Sequence, residues 1–125
     1  MCNGGGPPKI TVTVSATTAV PFPPGLSDGV TSVEPGGTND KEFTTIVQPG
    51  QTVQFVPGGN VTAIISITEG EGSDIFSTDP TKANNWTGVI GSNLAKDDTR
   101  EYTICYQVSG HNDTYCQDPR LRMNR

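Results

Sequence analysis

Apolar residues recur at every second position along this chain, in short runs cut by Gly and Pro, and no useful stretch shows the 3.6-residue period of a helix. That alternation is the pattern of half-buried strands, whose side chains point to opposite faces in turn. In Lys9–Ser15, Ile10, Val12 and Val14 share a core face between hydroxyl residues. Phe43–Val47 is a second strand, ended by Pro49-Gly50. Thr52–Val56 points Val53 and Phe55 inward, and Pro57-Gly58-Gly59-Asn60 turns the chain. Val61–Thr68 then returns with Val61, Ala63, Ile65 and Ile67 on one face. Ile64 falls on the other face, which predicts a central strand covered on both sides. Trp86–Ile90 reads as a short strand.

The closing pair is the most regular. Arg100–Val108 aligns Tyr102, Ile104, Tyr106 and Val108, while Thr114–Asn124 sets Tyr115, Leu121 and Met123 against Arg120, Arg122 and Asn124. If Cys105 faces Cys116 across this pair, Tyr106 faces Tyr115 and Ser109-Gly110-His111-Asn112 remains as the hairpin loop. About seven short strands with turn signals between them predict an all-β fold, a single antiparallel β-sandwich of the Ig-like or Greek-key kind. Residues 9–125 form that domain, and 1–8 are expected to be a flexible Gly/Pro arm.

Two long connections interrupt the strands. Residues 17–41 hold four prolines and four glycines, a composition that punctuates a loop, with room for one short strand at Gly29–Val33. Residues 69–85 carry Glu-Gly-Glu-Gly-Ser-Asp at 69–74 and then Asp79-Pro80. Loops this long in a small domain tend to carry function. Only 32% of the chain is apolar, but its net charge of −5 is too small for charge-driven disorder, so the alternating runs imply a folded domain. The acidic balance argues against a nucleic-acid partner, and Arg120, Arg122 and Arg125 read as a solvated edge. No apolar run reaches the roughly 18 residues of a membrane helix.

Three cysteines, Cys2, Cys105 and Cys116, do not make a disulfide framework. Cys105 and Cys116 are a candidate disulfide in an oxidising compartment and two thiols in a reducing one. Cys2 is a candidate lipidation site if it is the mature start of a cell-surface lipoprotein, with Asn3–Pro8 as tether; if Met1 is native the chain is cytoplasmic. Cys105, His111 and Cys116 lack the paired spacing of structural zinc sites, and a single His excludes blue copper. No cofactor is expected. Glu69, Glu71 and Asp74 in one Gly-rich loop, and Asp28, Glu34 and Asp40 in the other, are weak calcium candidates, because calcium takes hard oxygen ligands from loops. His111 with Cys105 or Cys116 could form a Cys–His pair, but no motif places a nucleophile and no enzyme is expected. Asn60, Asn85 and Asn112 each begin an N-x-[ST] triplet, which matters only in a eukaryotic secreted protein.

From about Ile46 onward the order of features resembles the bacterial inclusion-body β-sandwich family of the PixA/AidA type. The shared features are Pro49-Gly50-Gln51-Thr52-Val53 leading into a strand, a Trp86-Thr87-Gly88 turn, the Tyr102-Thr103-Ile104 strand, and a last strand reached through Asp118-Pro119. The N-terminal third, with its Pro/Gly loop, departs from that pattern. The resemblance implies no enzyme activity and favours a bacterial origin and self-association. The leading expectation is therefore a non-enzymatic structural or interaction module that associates with itself or with another protein. A surface module binding sugar or calcium through loops 17–41 and 69–85 is the alternative, and a Cys–His enzyme the third.

Overall fold

The computed structural model describes residues 9–36, 43–69 and 75–123. Among them are eleven strands, one short 3-10 turn at Lys82–Asn84 and no α-helix. The strands are β1 (Ile10–Ala16), β2 (Gly25–Ser27), β3 (Ser32–Val33), β4 (Thr44–Val47), β5 (Thr52–Gly59), β6 (Val61–Glu69), β7 (Phe76–Thr78), β8 (Thr87–Ile90), β9 (Thr99–Val108), β10 (Thr114–Gln117) and β11 (Arg120–Met123). The strand count exceeds the sequence expectation because both long loops contain strands: β2 and β3 lie in the first and β7 in the second. The run expected at Thr114–Asn124 is also two strands. Pro119 has no N–H to continue the ladder, and the Thr103 hydroxyl donates to Asp118 Oδ1 at 2.6 Å, holding the break open. The expected arm, residues 1–8, lies outside the described residues.

The strands form two sheets. The first runs β3-β2-β1-β5-β8-β7. The second has β9 at its centre, with β6 on one side, β10 and then β11 on the other, and β4 beyond β11. Neither sheet is purely antiparallel, as had been expected: β1 runs parallel to β5, and β11 parallel to β4. Parallel neighbours need a long crossover, and residues 17–51 supply one. They carry the chain from β1 through β2 and β3, across to β4 in the second sheet, and back to β5 in the first. The Pro/Gly-rich segment is thus the connection that parallel pairing demands.

Side chains from both sheets meet in one core, with Phe55 of β5 and Tyr102 of β9 in ring contact at 5.5 Å. The sheets are also tied at Asn60, where the chain leaves β5 for β6. Its N–H donates to the Ala16 carbonyl and its own carbonyl accepts from Ser109 N–H. Gly59 makes this corner possible, since its φ is +55° and a Cβ there would lie 2.7 Å from the Ala16 oxygen.

Strand β6 departs from simple alternation. Its buried residues are Val61, Ile64 and Ile67, every third position, while Ile65 is 45% exposed. The pairing with β9 slips between Val61 and Ala63 and again between Ile64 and Ser66. Each bulge inserts one residue and turns the following side chains over. Ile64 therefore faces the core and Ile65 the outside, the reverse of the sequence expectation. Nor is β6 central: among the described residues its only ladder is with β9.

Candidate functional site

At the closing hairpin, β9 and β10 pair with Cys116 opposite Cys105 and Tyr115 opposite Tyr106, the register read from the sequence. The two cysteines are joined by a disulfide across the ladder. Sulfurs so bonded present no thiolate to attack a substrate or to ligate zinc. His111 is used otherwise: one ring nitrogen, Nε2, lies 2.7 Å from the Thr18 carbonyl oxygen and Nδ1 lies 3.3 Å from Tyr115 Oη. The Tyr106 hydroxyl donates to Pro21 O at 2.7 Å, so hairpin and first loop are tied together at two points.

The calcium candidates separate. Glu71, Asp74 and Asp40 lie outside the described residues, as do Cys2 and Arg125, and Glu34 is exposed. Glu69, at the end of β6, accepts through Oε2 from the backbone N–H groups of Ile75 and Phe76, tying the end of β6 to the start of β7. Burial raises its pKa above the ordinary carboxylate value; a hydrogen bond to Asp79 and that neighbour's charge add to the rise, against the two backbone donors. Both carboxyls line a cleft of about 460 Å³ with Phe76, Pro80 and Thr81. Among the described residues no three His, Cys, Asp or Glu side chains are grouped to hold a metal.

Asn85 and Trp86 are consecutive non-glycine residues in the left-handed region, at φ 59° and 58°. Such a pair is costly unless its surroundings hold it. Here Trp86 N–H donates to Thr81 O at 2.7 Å, Trp86 O accepts from Phe55 N–H, and Asn85 O accepts from the Gln54 amide. The conformation sets the indole against a groove of about 510 Å³, walled by Pro57, Ile64 and Ile65 with Lys82 and Asn85 at its rim. The sequence signal for this groove was Trp86 itself; the bulges that bring Ile65 to it were not visible.

A fourth place lies beside β4, an edge strand among the described residues. There the turn after β2 is built on Asp28, whose Oδ1 accepts from Val30 N–H at 2.9 Å and Thr31 N–H at 2.7 Å. This turn and β4 enclose a cavity of about 70 Å³. The Thr45 hydroxyl, on a residue only 1% exposed, and the fully buried Tyr102 hydroxyl have no hydrogen-bond partner among the described residues. Burial drives the Tyr102 phenol well above its ordinary pKa, and the negative charge of Asp28 adds to the shift. Two exposed large apolar side chains, Val30 and Ile46, flank the same opening.

No protein-family model matches the chain, and no significant match was found among curated proteins. Among the described residues no helix is long and apolar enough to cross a membrane.

Proposed function

We propose that this chain is a non-enzymatic interaction module, a β-sandwich that associates with itself or with another protein by adding strands at open sheet edges. The observation that carries this reading is the β4 edge. Among the described residues its only ladder is with β11, Ile46 projects from it, and the apolar Val30 stands 90% exposed beside it. An edge so placed, with no Lys or Pro within the strand to block it, is a template for a further strand. The resemblance to inclusion-body sandwiches points the same way. The test is native mass across a concentration series, for the wild type and for Ile46→Lys. Oligomers that grow with concentration and are lost in Ile46→Lys support the reading; a wild type that stays monomeric up to its solubility limit overturns it.

The Trp86 groove favours a second reading, a surface module for sugar. An indole face flanked by an amide and an ammonium suits a pyranose ring, which is apolar on its faces and rich in hydroxyls at its edge. Quenching of Trp86 fluorescence by soluble oligosaccharides, absent in Trp86→Ala, is the expected outcome for this reading. For calcium, the remaining candidate on the described surface is the Glu69–Asp79 cleft, and a melting temperature raised by calcium is the readout.

A further inference from the structure

We propose that the pocket between the Asp28 turn and β4 binds an aliphatic primary ammonium group, of the kind that ends a lysine side chain. The walls come first. Ile10 of β1, Val30 of the turn and Ile46 of β4 supply an apolar lining, suited to methylenes rather than to a bare ion. The charged group comes next. Asp28 Oδ1 is engaged by Val30 N–H and Thr31 N–H, whereas Oδ2 meets only the Thr31 hydroxyl, at 3.2 Å. No described Lys or Arg pairs with this carboxylate; the ion pairs are Arg100–Asp98 and Arg122–Asp97. Thr45 also lines the pocket, but its hydroxyl is closed off from it in the core, so the carboxylate is the polar anchor.

A carboxylate with no described ion-pair partner, its Oδ2 still able to accept, and apolar walls define a guest with three properties. It carries positive charge, it donates hydrogen bonds, and it has a short hydrocarbon stem. A primary ammonium has all three, with three N–H donors on a compact head. Calcium does not fit, since it takes six to eight oxygens and only one carboxylate lines the pocket. The biological source of the group rests on the interaction reading: a lysine of a partner lying along the β4 edge would reach this opening.

The experiment is a methyl-detected NMR titration of the full chain with n-butylammonium chloride, beside n-butanol, calcium chloride and Nα-acetyl-lysine methylamide. The expected result is saturable shifts of the Ile10, Val30 and Ile46 methyls at concentrations on the order of millimolar. Butanol, which keeps the stem and loses the charge, should bind at least tenfold more weakly. Asp28→Asn keeps an Oδ1 acceptor for the turn and removes the charge, so an unchanged methyl spectrum with lost binding supports the proposal. Thr45→Val, which alters only an atom closed off from the pocket, should leave binding unchanged. Equal shifts with butanol, shifts with calcium alone, or no saturable shift with any amine would overturn it. Binding of the lysine amide assigns the source to a protein side chain; binding of butylammonium alone assigns it to a free amine. The two readings fail separately, since a monomer that binds butylammonium loses only the assembly proposal.

Discussion

Thr45 is a residue whose stability cost can be read from a single atom. Its hydroxyl is buried and unmatched among the described residues, on a residue only 1% exposed. Valine keeps the β-branched shape and removes the orphan, so Thr45→Val should raise stability by about 1 kcal/mol, seen as a higher urea midpoint at unchanged slope. Glu69 gives a residue-scale prediction in pH. Its folded pKa lies above the unfolded value, mainly through burial. The folded state therefore prefers the protonated carboxyl, and this contribution is complete below the ordinary carboxylate range. It is lost as pH rises through the folded value. Stability of the wild type relative to Glu69→Gln should fall over that rise; a difference that grew instead would show that the two backbone donors outweigh burial. Neither residue was marked this way by the sequence. Thr45 is one hydroxyl among many in a Thr-rich chain, and Asp79 joins Glu69 only because β7 folds back along β8.

At the scale of elements, β6 separates what periodicity reveals from what it conceals. Alternation located the strand, but the turn read at Pro57-Gly58-Gly59-Asn60 shrinks to Asn60 because β5 runs on to Gly59 beside β1. Strict alternation also cannot register a bulge, and two of them exchange the roles of Ile64 and Ile65. Ile64→Ala should cost about 2–4 kcal/mol in denaturant unfolding, and Ile65→Ala less than about 1 kcal/mol. Straight pairing would give the opposite ranking. The β9–β10 register matches the pairing that the sequence offered conditionally, since the alternation of both strands agrees with Cys105 facing Cys116, while the end of β10 at Gln117 was not marked. The disulfide closes a short loop, its cysteines 11 residues apart. Replacing both cysteines with alanine should cost roughly 3 kcal/mol, measured as a lowered urea midpoint. The short strand allowed for at Gly29–Val33 contains β3, whereas β2 and β7 escaped notice because three residues show no period. They are held by neighbours instead of by pattern.

For the molecule as a whole, the all-β class was legible and the topology was not. Alternation says that a residue lies in a strand; it does not say which strand lies alongside. Parallel pairing of β1 with β5 depends on where the crossover returns, and nothing in the local sequence of either strand records it. The net charge of −5 also acts at this scale. Copies that associate through apolar edges must approach against like charge, so the association constant should rise with added salt and as pH falls towards the isoelectric point near 4.6. Sedimentation at low and high ionic strength would register this; association that weakens with salt would instead place opposite charges across the interface. The same parallel pair bears on how the chain is made. Ile10 meets Val53, so the first strand waits for 43 further residues to be synthesised before its second neighbour exists. At roughly 5–20 residues per second the ribosome leaves that apolar edge uncovered for about 2–9 seconds. During that interval the nascent chain offers chaperones, or another nascent copy, the very strand that β5 will later claim.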